Sequence, residues 1–242
     1  MNDIQRQQLI DSIAPHGRLR AAINFGNAVL AQRAADGQAL GVSVELATAI
    51  AARLGLALEL VSFDAAGKVF EALDDGAWDV AFMALDPLRG TKIDFTAPYL
   101  SIEGTYLVRA DARLRTTAEL DSPGVRIAAS RGSAYALHLQ RSLRQAELVL
   151  ADSPVASFRL FLDQKLDAMA SIRQPLAALA AAHAGVRVID DAYMRVDQAI
   201  GTPKGRIAAH RWLDDFIAHA KSGGLVAKAL KNSGQGDVAV AP

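Results

Sequence analysis

The residue pattern switches repeatedly between a period of two and a period near 3.6, and that switching leaves few folds open. Leu19–Ile23 reads as a strand, and after a loop from Gly26 to Gly41 the residues Leu46, Ile50 and Leu54 recur every fourth position. Ser43 is the expected N-cap of that helix and Gly55 its stop. LALELV (56–61) alternates as a strand, KVFEALDDG (68–76) reads as a helix closing at Gly76, and DVAFMA (79–84) as a buried strand. Ahead of them, residues 2–13 fit a short helix with Ile4, Leu9 and Ile13 on one side, ended by Gly17. The rhythm returns in the second half. GTYLVR, VRIAA, ELVLA, DAMAS, VRVID and QAIGT read as strands. Helices are expected at 134–145, Pro154–Gln164 and 176–183, and two more lie around Gly223-Gly224. Such alternation predicts an α/β architecture with a mainly parallel sheet. With no low-complexity linker, any two lobes must be joined by strands.

The 242 residues, 51% of them hydrophobic, suffice for one domain or two small ones. Twenty-six basic residues balance 26 acidic ones without long runs of either sign, which argues against a nucleic-acid or anionic-membrane surface. No apolar stretch approaches the length of a membrane span. The absence of cysteine excludes disulfides, thiolate metal sites and a cysteine nucleophile. His16, His138, His183, His210 and His219 are scattered without zinc-site spacing, so no metal is expected. G-x-S-x-G, Walker A and G-x-G-x-x-G patterns are missing, and no catalytic residue or cofactor is expected.

The most specific stretch is RGTKIDFTAPY (89–99), an arginine five residues before an Asp-Phe-Thr-x-Pro-Tyr turn, with WDVAFMA leading into it. In order come GRLRAAI, GVSVELATAIAARLG, DVAFMALDPLR, IDFTAPY, GVRIAASRGSA, LDAMAS and a lysine-rich closing helix. This series resembles the family 3 solute-binding proteins, the small-molecule receptors of ABC importers, over about residues 17–235. The resemblance implies a two-lobed type II periplasmic-binding-protein fold with two hinge strands near 99–103 and 195–199. Lobe 1 would comprise 1–99 and 200–242, and lobe 2 would comprise 104–194. A small anionic or zwitterionic solute would be captured between them, delivered to an ABC permease, and left chemically unchanged. Monomeric state and a periplasmic location are further implications. The amino terminus lacks the basic start and apolar run of a secretory signal, so either a signal has been removed or the chain is an intracellular relative, the alternative being a cytoplasmic metabolite-sensing binding protein.

Arg89 is the expected anchor, because a guanidinium matches a carboxylate with two charge-assisted hydrogen bonds. As a cleft residue it would tolerate Arg89→Ala with little loss of stability. Asn24 and Asn27 follow the first strand, at the strand ends where open α/β sheets bind ligands. They equally suit turn positions. Ser130, Arg131 and Ser133 lie between a strand and a helix, where backbone N–H groups attract anions, with Ser133 also suited to capping. Asp167 matches a family aspartate that is mostly structural. The resemblance also has gaps. Ser171-Ile172-Arg173-Gln174 contains no carboxylate where amino-acid receptors carry an acid for the ligand ammonium. Asp86 replaces a usual threonine three residues before Arg89, and either neutralises Arg89 or accepts from a ligand hydroxyl or amine. Ala65-Ala66 stand where a stacking aromatic is common, with Phe63 and Phe25 near enough to substitute. Without an acid a buried ammonium would cost several kcal/mol. Arg89 and Arg173 together therefore favour an organic acid over a standard α-amino acid. Cyclohexadienyl dehydratases also resemble these receptors, but the glutamate they carry inside the helix after the glycine turn is replaced here by Tyr135. A tyrosine, with a pKa near ~10, is a poor proton donor for that elimination.

Overall fold

A computed structural model describes residues 3–242 of the chain. The first part of the chain contains α1 (Asp3–Ile13), β1 (Arg18–Asn24), α2 (Val42–Leu54), β2 (Ala57–Phe63), α3 (Ala66–Glu71), β3 (Val80–Ala84) and β4 (Ile93–Phe95). Then follow β5 (Leu100–Arg109), β6 (Arg126–Ser130), α4 (Ala134–Ser142), β7 (Glu147–Ala151), α5 (Pro154–Asp163), β8 (Ala168–Ile172), α6 (Arg173–Ala182) and β9 (Val186–Val188). The chain closes with β10 (Met194–Pro203), α7 (Ile207–Ser222), α8 (Leu225–Asn232) and β11 (Ala239–Val240). Residue 2, the expected first position of α1, lies outside the described residues.

The chain divides into two compact units: the part up to Ser101 together with Asp197–Pro242, and Ile102–Val196. It passes between them within β5 and β10. In the first unit β1 lies between β2 and β3, parallel to both, with Asn24 level with Phe63 and Ala21 with Val80. β10 runs antiparallel to β3 and β4. In the second unit β6 is parallel to β7 and β8, while β5 runs antiparallel to β8 and β9. The sheets are therefore mixed rather than mainly parallel. The antiparallel partners are the two long strands that carry the chain from one unit to the other.

Each unit buries an apolar cluster: Val69, Trp78, Met83 and Ile93 in the first, Leu107, Phe161, Leu166 and Met169 in the second. Burial of each large side chain stabilises by about 1.5–3 kcal/mol. Both units also use the same bracket. Asp79 N–H donates to the Arg20 carbonyl and the Asp79 carboxylate accepts from Arg20 N–H; Asp167 makes the same pair of bonds to Arg126. An aspartate just ahead of β3 thus fixes the register of β1 in the first unit, and one just ahead of β8 fixes that of β6 in the second.

Three local expectations are corrected. Ser43 does not cap α2; it is buried inside the helix, and Gly41 takes the N-cap position at φ 117°. Only glycine fits there, since a Cβ would lie 2.4 Å from the Leu30 carbonyl oxygen, whose bond to Ser43 N–H pulls the two backbones together. Ile4 is 72% exposed while Leu9 and Ile13 are buried. It sits about 140° round the helix from Leu9, as 3.6 residues per turn requires. The helix expected at 68–76 instead spans Ala66–Glu71, and turns lead on to Gly76. In α2 the expected stripe is present, with Leu46, Ile50 and Leu54 buried and Gly55 closing the helix in the left-handed conformation.

Candidate functional site

In the first unit the chemistry collects where β1 and β3 end. Asn24, the last residue of β1, is buried, and its Oδ1 accepts from Gly26 N–H at 3.0 Å. Asn27 Oδ1 accepts from Val29 N–H at 3.1 Å. Both side chains thus hold the turn after β1 through their oxygens. Beyond β3 the chain makes a single 3-10 turn at Arg89–Thr91. Asp86 prepares that turn, with Oδ1 accepting from Leu88 N–H at 2.8 Å and its carbonyl from Gly90 N–H.

Arg89 is 0% exposed, which overturns the expectation of a side chain that can be truncated at little cost. One of its terminal nitrogens donates to the Ala84 carbonyl at 2.8 Å, so the guanidinium is tied back to the end of β3. Burial lowers its pKa to about 10, against which the nearby Asp86 carboxylate favours the charged form. At neutral pH Arg89 remains a cation in a desolvated setting, where a charge-assisted bond to an anion is stronger than in water.

Phe63 is half-buried and borders a cavity of about 320 Å³ with Phe25, Arg33, Ser62, Asp64 and Lys68. The Arg33 guanidinium lies 4.1 Å from the Phe25 ring centroid and donates to Ser62 Oγ at 3.3 Å. Sequence reasoning passed over Arg33, since nothing in the local pattern of a loop arginine shows which ring it will stack on.

In the second unit Ser130 ends β6 and is buried, and Ser133 caps α4 by accepting from Ala136 N–H at 3.1 Å. Arg131 points away into an exposed pair with Asp152 at 3.5 Å, a contact of little energetic weight. Arg173, expected to meet the ligand, is committed inside its own unit. Its Nε bonds Glu103 at 2.6 Å, and its terminal nitrogens donate to the carbonyls of Ile189 at 3.3 Å and Asp190 at 2.7 Å. It braces the start of α6 against β5 and the chain after β9. Among the described residues no group of three or more histidine, cysteine, aspartate or glutamate side chains is placed to hold a metal. Nor, among the described residues, is any helix long and apolar enough to cross a membrane.

The two α/β units and the double strand crossing define a two-lobed periplasmic-binding-protein fold. The model of the bacterial extracellular solute-binding proteins, family 3, matches residues 19–234, and the chain belongs to that family. It is 26% identical over 168 residues to a cyclohexadienyl dehydratase of Pseudomonas aeruginosa, a match covering 68% of this chain and 62% of the enzyme's length. An ancestral amino acid-binding protein, described as a precursor of cyclohexadienyl dehydratase, superposes with a TM-score of 0.77 at 25% identity, over 92% of this chain and 98% of its own. An amino acid ABC transporter substrate-binding protein of Streptococcus pneumoniae, in a structure bound to L-arginine, gives a TM-score of 0.81 at 21% identity, over 95% and 100% of the two chains.

Proposed function

We propose that the protein is a non-enzymatic receptor that captures a small carboxylate-bearing solute, an organic acid or an amino-acid-like compound, for an ABC importer. One observation carries this reading. Arg89, the arginine of the family signature, is a buried cation at the end of β3, on the side of the sheet where open α/β folds place their ligands. Asn24 and Asn27 sit at the same end of the neighbouring strand, and Asp86 fixes the turn that presents the arginine. The solute would be taken up by a monomer and passed to a permease. Native mass spectrometry of the purified protein, followed by denaturation and identification of what is released, tests this directly. A released carboxylate is expected. A tightly held molecule without a carboxyl group would refute the reading.

The match to the Pseudomonas aeruginosa enzyme supports a second reading, a dehydratase acting on a prephenate-like acid. The residue available as proton donor argues against it. Tyr135 is buried, and burial raises its phenol further above its ordinary range. Incubation with prephenate should leave the substrate intact beyond its spontaneous decay, and turnover abolished by Tyr135→Phe would establish the enzyme instead.

A further inference from the structure

A cavity of about 290 Å³ opens among α1, α2 and α7 in the first unit, and the proposed capture of a carboxylate does not use it. Arg53 and Leu54 close α2 just before β2 begins at Ala57, which is level with Arg18 at the amino end of β1. Asn24 ends β1 on the other side, so roughly 20 Å of strand separates the two places. Two side chains of α7 form the apolar wall of the cavity. Trp212 and Phe216 stand one helical turn apart, and their rings stack with centroids 5.5 Å apart and planes within 14° of each other. Phe216 is buried, whereas Trp212 is only half-buried and keeps ring surface to offer. The other tryptophan of the chain differs: Trp78 is fully buried, and its indole N–H donates to the Val69 carbonyl at 2.8 Å.

Two guanidinium groups border the same wall. Arg53 makes no ion pair and no hydrogen bond among the described residues, and its guanidinium lies 5.7 Å from the Phe216 ring centroid. Arg6 of α1 gives one terminal nitrogen to the Leu54 carbonyl at 2.9 Å, one of the acceptors that the end of α2 leaves open. Its remaining N–H groups stay available. Asp215 also lines the cavity, and its carboxylate pairs with neither arginine. His219 completes the α7 side with Nδ1 on the Asp215 carbonyl at 2.6 Å. With histidine neutral, two cations against one anion leave a surplus of one positive charge, which suits a singly charged anion better than a dianion. Exposed charge pairs contribute little in water, so charge alone would not retain an ion here. Stacking a second flat ring on an aromatic side chain contributes more, and a guanidinium also favours aromatic faces. Ring and charge together select a molecule that carries both.

We infer that the cavity among α1, α2 and α7 is a second small-molecule site, which takes a planar aromatic monocarboxylate with its ring against Trp212 and its carboxylate on Arg53 and Arg6. The site lies wholly within the first unit and does not depend on the capture reading. The test is an NMR titration of the full chain with 2-naphthoate, read at the two indole N–H signals. The Trp212 signal should shift saturably with a dissociation constant of about 0.1–1 mM, while the Trp78 signal stays in place. Acetate, which has the charge without the ring, should bind at least about tenfold more weakly. 2-Naphthylmethanol, which has the ring without the charge, should bind about threefold or more weakly. Arg53→Gln removes no hydrogen bond from the fold, so the variant should remain folded. It should weaken 2-naphthoate about two- to fivefold and leave 2-naphthylmethanol unchanged, a split that a structural role for Arg53 would not produce. Arg53→Glu should weaken 2-naphthoate further, and Arg89→Lys should leave the Trp212 titration as it is. A shift that never saturates, or equal affinity for 2-naphthoate and its alcohol, overturns the site. So does a titration lost in Arg89→Lys, which would put the probe at the carboxylate-capture residues instead.

Discussion

Arg89→Ala is expected to weaken binding of the carboxylate released from the native protein by about 2–5 kcal/mol, roughly thirty- to four-thousandfold in affinity. That range is the cost of truncating one partner of a buried, hydrogen-bonded charge pair. It applies here because Arg89 is fully buried and its pKa of about 10 keeps it charged at any physiological pH. The variant will also be less stable. The bond from Arg89 to the Ala84 carbonyl is lost, and a buried acceptor left without its donor costs about 1–3 kcal/mol. Arg89→Lys separates the two effects. It keeps a cation and a donor but removes the planar fork, so it should recover much of the stability and little of the affinity. Calorimetric titration and urea unfolding on the same preparations give both quantities. Unchanged affinity in Arg89→Lys and Arg89→Ala together would show that the guanidinium serves the fold alone.

How much of this was legible in the sequence depends on how local the cause is. The alternation of periods placed nearly every strand and helix, because side-chain periodicity is a property of ten residues at a time. The signature around Arg89 was legible for the same reason: Ala84, Asp86, Leu88 and Arg89 make one turn whose bonds all fall within six residues. Arg173 finds its partner Glu103 70 positions away. No local pattern announces a pair at that distance. Ser43 looked like a cap because serine usually is one, yet a backbone approach from Leu30 required glycine two residues earlier. From the sequence alone Tyr135 reads only as a poor proton donor. What surrounds it, Ser171 from β8 and Ser130 from β6, emerges only when the strands are laid side by side.

The two aspartate brackets allow a comparison within one molecule, because the units repeat the same backbone bonds with different side-chain company. Asp79 is 0% exposed, and besides Arg20 N–H its carboxylate accepts from Arg20 Nε at 3.0 Å, from an Arg20 terminal nitrogen at 2.9 Å and from Arg206 at 3.2 Å. It therefore ties the first strand of its unit to the segment leading into α7. Asp167 is only half-buried and accepts from Arg126 N–H at 2.8 Å. Asp79→Ala leaves two guanidinium groups close together, 14% and 25% exposed, with no carboxylate between them. Breaking a buried ion pair from one side costs about 3–5 kcal/mol. Set against a total stability of about 5–15 kcal/mol, that loss should visibly populate the unfolded chain. Asp167→Ala removes one hydrogen bond to a backbone donor and should cost about 1–2 kcal/mol. Urea denaturation should therefore give a much lower midpoint for Asp79→Ala than for Asp167→Ala. Asp79→Asn should fall between them, because it keeps an oxygen for Arg20 N–H but no charge for the two arginines. Equal losses for the two alanine variants would mean that the backbone bracket alone stabilises each unit and that the arginines around Asp79 contribute nothing.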